Sequence, residues 1–214
     1  MNQTYITIAK DETTEQIIKK SRFICALHRV TNEEEAREII STTKKMHTKA
    51  NHNCYAFIVG ETPEIHRSSD DGEPSGTAGV PILEVLKAQQ VKNTLAIVTR
   101  YFGGTKLGTG GLLRAYAHAT TSTLTKAGLV QRRLEYTATA FVDYSYLNQI
   151  NYFFQSKQIK VISTDFSDKV ALTIASDQLP VIKKELIELL NNNIQFEDGP
   201  RKYYEYPIEA TNSR

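Results

Sequence analysis

The segment from Thr99 to Tyr116 combines glycines with basic side chains in a way that suits an anion. It contains five of the chain's eleven glycines. A strand that ends in glycines and leads into a helix leaves backbone N–H groups unpaired, and glycine lets a ligand approach them closely. Arg and Lys side chains add charge to such a site. The candidate anion loop comprises Gly103, Gly104, Gly108, Gly110 and Gly111, with Arg100, Lys106 and Arg114 beside it.

Two familiar glycine fingerprints for nucleotides do not match this segment. A Walker A loop has Lys after its last glycine, whereas Gly108 is followed by Thr109 and Gly110. A dinucleotide fingerprint has a third glycine where this chain has Leu113, and no acidic residue for a ribose follows before Glu135. We therefore predict no cofactor. The leading interpretation also includes no bound metal. The sequence leaves open the alternative that the glycines serve only tight turns and close packing.

The charge distribution favours a phosphate-bearing partner. Residues 1–134 carry 18 Lys and Arg against 13 Asp and Glu, whereas the remaining residues carry 8 against 11. Residues 85–134 hold eight basic residues and no acidic one. Such a stretch attracts polyanions, and phosphate contacts come from this mixture of Arg, Lys and backbone N–H groups. We predict that Arg100, Lys106 and Arg114 contact RNA phosphates and that Tyr101 stacks on a base.

An acidic loop precedes the basic stretch and offers a different chemistry. Asp70, Asp71 and Glu73 are close enough in sequence to bind a divalent metal or to act as acid and base, although their spacing does not match an EF-hand. Three interpretations stay open. The loop belongs to an enzyme, either a hydrolase or a phosphoryl-group enzyme; it is a solvated turn; or it pairs with the basic loop of the same domain.

The remaining reactive residues and the composition indicate a cytoplasmic protein without a membrane segment. His52 and Cys54 share one face of a strand, but two ligands do not make a zinc site, and we predict a structural role for both. Cys25 and Cys54 are predicted to be reduced and buried. No apolar run is long enough to span a membrane, and the first residues do not resemble a signal peptide.

Hydrophobic periodicity places the candidate anion loop between a strand and a helix of a first domain. The pattern alternates between short β-branched runs and stripes with helical spacing. The predicted elements are a helix from a capping box at Thr31 and Glu34 to about Met46, a strand at Cys54–Val59, a polar loop through Pro74, a helix at Val80–Gln90, a strand at Thr94–Phe102 and a helix from an N-cap at Thr109 to Gly128.

A second periodic unit follows the basic link at residues 131–133. Its order is strand, helix, strand, strand, helix, strand, and Asp177 is the predicted N-cap of the last helix. This is the ferredoxin-like split βαβ arrangement. The sequence therefore predicts an α+β protein with domains at residues 1–131 and 134–207.

Three segments resemble the signature sequences of the YigZ/IMPACT family. They are KSRFI (Lys20–Ile24), RSSDDGEPSGTAG (Arg67–Gly79) and VTRYFGGTKLGTGGLLRAY (Val98–Tyr116). The resemblance implies an N-terminal two-layer α/β domain related to the second domain of a small-subunit ribosomal protein and to domain IV of the translocating elongation factor. It also implies a ferredoxin-like C-terminal domain similar to the final domain of that factor.

For function, the resemblance implies a role in translation. Eukaryotic IMPACT proteins regulate translation by competing with the activator of an initiation-factor kinase, through an additional N-terminal module that we do not expect in this chain. Nucleic-acid or ribosome binding is the usual suggestion for bacterial members, and it agrees with the charge pattern. We predict a non-enzymatic RNA- or ribosome-binding regulator of translation, with translation-associated proteins as further partners. The enzyme and a pure protein–protein module stay as alternatives, and the oligomeric state stays open.

Overall fold

The fold was analysed in a computed structural model that describes residues 4–60 and 63–208. The described chain forms two compact units, one of residues 5–131 with 206–208 and one of residue 4 with 132–205. Residues 1–3 of the predicted first domain lie outside the described residues. The elements are β1 (Thr4–Ile8), β2 (Glu12–Ile18), β3 (Ser21–Arg29), α1 (Glu33–Met46), β4 (His52–Val59), β5 (Ile65–Ser69), α2 (Gly79–Ala88), β6 (Thr94–Tyr101), α3 (Thr109–Ala127), β7 (Leu129–Val142), a 3₁₀ turn (Tyr144–Tyr146), α4 (Leu147–Ser156), β8 (Lys160–Phe166), β9 (Val170–Ser176), α5 (Leu179–Leu189) and β10 (Gln195–Pro207).

The first unit is built on an antiparallel sheet with strand order β2-β3-β6-β4-β5. Successive residues of the central strand β6 face opposite sides of the sheet, as the pleat requires. Ala96 and Val98 pack with helices α2 and α3, whereas Leu95 and Ile97 pack with Ala36 and other residues of α1 and β4. Helices therefore cover both faces. The prediction of a two-layer domain was wrong, because the apolar side of α1 packs on the face of the sheet opposite α2 and α3 and forms a third layer.

The second unit follows the predicted order of strand, helix, strand, strand, helix and strand, from β7 to β10. Its strands lie in the order β10-β7-β9-β8. The β7–β9 and β8–β9 pairs are antiparallel. Apolar residues of α4 and α5, among them Phe154 and Leu186, pack on one face of this sheet against residues such as Leu172 of β9. The overall prediction of an α+β protein is confirmed.

Several predicted helix starts differ from the observed ones by one residue. Asn32, not Thr31, is the N-cap of α1: its side chain accepts from the Glu35 N–H at 2.9 Å, and the Glu35 carboxylate in turn accepts from the Thr31 N–H at 2.7 Å. The capping box therefore contains Glu35 rather than Glu34, because its acidic residue stands three positions after the N-cap and the N-cap is Asn32. The N-caps of α3 and α5 are Gly108 and Gln178, and neither helix end has a side-chain cap.

Strands occupy regions for which the sequence predicted none. The polar segment before Pro74 contains β5, and the first 29 residues contain β1 to β3. β5 is an edge strand with exposed positions, so its sequence lacks a hydrophobic run. Within the described residues, no helix has the length and apolar character needed to cross a membrane.

Candidate nucleic-acid interface

The predicted phosphate ligand Arg100 lies inside the first unit rather than on its surface. It is the second-last residue of β6, is only 5% exposed, and its guanidinium Nη1 lies 2.6 Å from the Glu73 Oε1. Its Nη2 donates to the Ser21 hydroxyl at 3.2 Å, and its Cζ lies 5.3 Å from the centre of the Phe23 ring. The guanidinium is therefore engaged by protein groups. The prediction that Arg100 contacts RNA phosphates was wrong, because its charge is balanced by a buried carboxylate.

Glu73 joins this buried ion pair to helix α3. Its side chain is 3% exposed, and Oε1 also accepts from the Tyr116 hydroxyl at 2.7 Å. Burial, together with the nearby Cys54 and Glu73, raises the pKa of Tyr116, so the hydroxyl stays protonated and remains a donor. The Tyr116 ring packs edge-on against Phe23, with 5.4 Å between ring centres. Glu73 thus stabilises the contact between the acidic loop, β6 and α3.

Asp70 caps the N-terminus of helix α2, although it lies eight residues before the N-cap residue Ala78. Ala78, the N-cap residue, has no side-chain acceptor, and the Asp70 carboxylate accepts from the N–H groups of Gly76, Ala78 and Gly79 at 2.8 to 3.0 Å. Burial by itself would raise the pKa of Asp70, but the three N–H donors outweigh it and hold the pKa below its ordinary value. The negative charge is also favourable at the positive end of α2.

We expect Asp70→Asn to destabilise the protein by about 1–2 kcal/mol at neutral pH, because an amide nitrogen would replace one of the accepting oxygens. The pKa of Asp70 is lower in the folded state, so the carboxylate stabilises the fold above its unfolded-state pKa of about 3.9. This stabilisation is lost as the pH falls through the lower folded-state value. Urea denaturation from pH 7 to pH 2 should therefore show the two proteins converging at acid pH. Asp168→Asn, in an exposed turn, should show no difference at any pH; a constant Asp70→Asn difference down to pH 2 would contradict the charge argument.

Asp71 also binds structural partners, namely the backbone of β4 and a lysine of helix α1. Its carboxylate accepts from the Asn53 N–H at 2.6 Å and from Lys44 Nζ at 2.5 Å. His52 Nδ1 donates to the Asp71 carbonyl at 3.0 Å, and His52 Nε2 lies 3.8 Å from Glu73 Oε2. Among the residues that the structure describes, no group of three His, Cys, Asp or Glu is arranged to hold a metal ion. Asp70, Asp71 and Glu73 therefore have structural partners, and the geometry does not favour the enzyme interpretation.

The two cysteines are buried free thiols. Burial raises the pKa of Cys25 and of Cys54 to about 12 in each case. The Cys54 thiol donates to the Asp70 carbonyl at 2.9 Å. At neutral pH neither residue carries the thiolate that a nucleophile requires.

Lys106, Arg114 and three of the predicted glycines remain on the surface. Gly104, Gly108 and Gly110 are exposed, as are both basic side chains. The first turn of α3 has no acidic residue, and no side chain of the described residues caps its N–H groups. A Cβ built on Gly110 would lie 3.7 Å from Arg114 Nη1, which places the guanidinium over this first turn. The exposed part of the loop retains the features of an anion site.

Gly103 and Gly111 have packing roles instead. A Cβ on Gly103 would lie 1.9 Å from the Lys20 carbonyl oxygen, and one on Gly111 would lie 3.0 Å from the Leu107 Cβ. The backbone at Gly103 thus lies directly against the turn between β2 and β3. The glycines of the loop therefore have different structural roles. Gly103 permits a close backbone contact, whereas Gly104 and Gly108 adopt positive φ angles of 82° and 76°.

The turn between β2 and β3 brings two further lysines to the loop. Ile18 pairs with Ser21, so Lys19 and Lys20 alone form the turn, with φ angles of 44° and 68°. Two-residue hairpin turns of this kind prefer Asn-Gly, because both residues are left-handed. Lysine in that conformation costs about 1–2 kcal/mol per residue. Both side chains are exposed.

Tyr101 does not have the free ring that was predicted. Its hydroxyl lies 2.8 Å from His47 Nδ1, and the Arg22 guanidinium carbon lies 5.5 Å from the centre of its ring. Arg22 itself pairs with Glu15 at 2.8 Å. A base stacked on Tyr101 would have to compete with these contacts on the face that Arg22 covers. Stacking by Tyr101 stays a prediction with no support from the geometry.

Comparison with known proteins identifies the family to which this chain belongs. The model of the Impact N-terminal domain matches residues 19–124. The IMPACT family member YvyE of Bacillus subtilis (strain 168) is 41% identical over 210 residues, which cover 97% of this chain and 97% of that protein. The chain belongs to the IMPACT family. The IMPACT family member YigZ of Escherichia coli (strain K12) is 34% identical over 184 residues, 85% of this chain and 88% of that protein. The solved crystal structure of a protein described as hypothetical is 29% identical, has a TM-score of 0.59 and covers 94% of this chain and 100% of that one.

The surface of this IMPACT family member contains two residues that sequence reasoning missed. Lys19 and Lys20 were not assigned to the site, although the match to the Impact N-terminal domain begins at residue 19. The sequence signal was weak: SRFICALHR contains the apolar residues of a strand, but ETTEQII does not alternate between polar and apolar residues, so the two-residue hairpin spacing was not recognised. We call Lys19, Lys20, Lys106 and Arg114 the basic cluster.

Proposed function

We propose that this IMPACT family protein is a non-enzymatic regulator of translation that binds RNA or the ribosome through the basic cluster. One observation carries the proposal. Within residues 4–60 and 63–208, no carboxylate forms an ion pair with Lys19, Lys20, Lys106 or Arg114, although many other basic side chains of the chain do form one. Basic side chains without internal partners remain available to an external anion.

The arrangement suits a polymer of phosphates better than a single small anion. The cluster is distributed over three segments of the chain: the β2–β3 turn, the anion loop and the first turns of α3. Nucleic-acid backbones are bound by such mixtures of Lys, Arg, backbone N–H groups and helix N-termini. The left-handed Lys19–Lys20 turn supports the same proposal, because backbone strain is often retained at functional sites. The regulatory part of the proposal rests on the family resemblance.

The domain types implied by the resemblance are part of this proposal. The second unit has the strand order β10-β7-β9-β8 with the order βαββαβ along the chain, and both features support a ferredoxin-like domain. For the first unit we propose the relationship to the ribosomal-protein and elongation-factor domains, with α1 as an additional layer. Buried free cysteines support a reducing compartment such as the cytoplasm.

A salt titration tests the binding function. We expect the affinity of the full chain for a labelled single-stranded RNA to fall with salt, with a slope of log K against log salt of about −3 if four phosphates are contacted. Lys106→Gln and Arg114→Gln should each weaken binding and reduce the magnitude of the slope by about 1. Lys184→Gln, which removes an exposed lysine of the second unit, is the matched control and should change neither quantity. Absence of binding, or binding that is the same in all four proteins, would overturn the proposal.

A further inference from the structure

A cavity of about 540 Å³ lies beside the basic cluster, between helix α3 and the end of the β2–β3 hairpin. Its apolar lining includes Ile18, Leu107 and Ala117, and its polar lining consists of Lys19, Arg114 and His118. The volume lies within the range of about 300–1,000 Å³ that is typical of ligand sites. Among residues 4–60 and 63–208, no acidic side chain lines it. The lining of the cavity thus combines apolar side chains with basic ones.

This combination fits one nucleotide better than a phosphate or an apolar group alone. Aliphatic side chains can cover the face of a flat ring, and the planar guanidinium of Arg114 can stack on it. Gln16 Oε1 lies 2.9 Å from His118 Nδ1, and since an amide oxygen only accepts, this ring nitrogen donates. In the neutral imidazole with this tautomer, His118 Nε2 is an acceptor for an N–H group on the edge of a base. Lys19 and Arg114 supply the charge for the adjoining phosphates.

We propose that this cavity receives an unpaired base of single-stranded RNA, while the adjoining phosphates bind Lys19 and Arg114. The inference rests on the proposed function and narrows it. Bases in an RNA duplex are stacked and their major-groove edges are inaccessible to side chains, so only an unpaired nucleotide can place its ring in the cavity. The protein therefore distinguishes single strands from duplexes through the cavity, whereas the basic cluster attracts both.

The test compares three labelled probes of equal length, about 12 nucleotides, a length within the single-strand site sizes known for other domains. The probes are a single-stranded RNA, the same strand in a perfect duplex, and a single strand of abasic sugar-phosphate units. On the unaltered full chain, we expect the single strand to bind roughly tenfold more tightly than the abasic strand, since stacking of one base contributes about 1–3 kcal/mol. The duplex should bind no more tightly than the abasic strand.

A variant that fills the cavity makes the test specific. Ala117→Leu adds apolar volume without changing charge and should lower the affinity for the single strand to that for the abasic strand. Thr121→Leu, an exposed position one turn further along α3 that does not line the cavity, should leave all three affinities unchanged. Thermal denaturation monitors whether both variants are folded, and the probe comparison on the unaltered chain needs neither of them.

The outcomes separate the two proposals. Equal affinity for the single strand, the abasic strand and the duplex would overturn the cavity proposal and leave phosphate binding by the basic cluster intact. An Ala117→Leu protein that is folded and still prefers the single strand would overturn it as well. If no probe binds at low salt, both proposals are wrong.

Discussion

Replacing Glu73 by Gln should destabilise the first unit by about 3–5 kcal/mol, because removal of one partner leaves the buried Arg100 charge without compensation. Both side chains are almost inaccessible, at 6% and 3% exposure, and their charged atoms are 2.6 Å apart. Total stabilities of domains are about 5–15 kcal/mol, so the loss would be a large fraction of the whole. Urea denaturation followed by circular dichroism measures it, since the chain has no Trp.

A double substitution separates the charge from the packing. Glu73→Gln combined with Arg100→Met removes both charges, and it should cost less than the sum of the two single changes because no isolated charge remains buried. Glu188→Gln is the matched control: it breaks a pair that is 4.0 Å apart and largely exposed, and its effect should be close to zero. If Glu73→Gln proved no more destabilising than Glu188→Gln, Arg100 would have to find another partner or gain access to water.

The ion pair also explains why Arg100 was assigned to the wrong role from sequence. Arg100, Lys106 and Arg114 belong to one basic stretch, and neither composition nor spacing distinguishes the buried charge from the exposed ones. The distinction depends on Glu73, which is 27 residues away and reaches Arg100 only when the loop after β5 folds over β6. One of the three interpretations of the acidic loop, pairing with the basic segment, anticipated this contact. That interpretation identified the two segments that pair, but not Glu73 and Arg100 as the residues that form the contact.

The elements that sequence predicted best are those with a strong periodic pattern and a local end signal. Helix α3 ends at Gly128, which has a positive φ of 70° as the C-cap of a helix, and β6 is an apolar run that is buried along most of its length. β2 alternates between exposed and half-buried positions and has no hydrophobic run, so its strand conformation depends on pairing with β3 and on packing against α3. The positions of Lys19 and Lys20 depend on that pairing and were missed with it.

Gly103→Ala is expected to be the most damaging single change in the anion loop, with a loss of about 3 kcal/mol of stability, because the new methyl group would overlap backbone atoms. The ideal Cβ lies 1.9 Å from the Lys20 carbonyl oxygen and 2.0 Å from its carbonyl carbon. Neither atom belongs to a flexible side chain, so the β2–β3 turn must move away from the loop. RNA affinity should fall as well, because Lys19 and Lys20 would move with the turn.

Gly104→Ala is the matched control in the neighbouring position. Gly104 has a φ of 82°, but no atom of the described residues lies within 4 Å of an added Cβ, so the change should cost only about 1 kcal/mol through backbone strain. Its effect on RNA affinity should be small, since the lysine turn stays in place. Denaturation and RNA titration of the two variants therefore distinguish packing from backbone conformation. A larger loss for Gly104→Ala than for Gly103→Ala would mean that the turn does not lie against Gly103, and the basic cluster would then lack the contact that holds its two halves together.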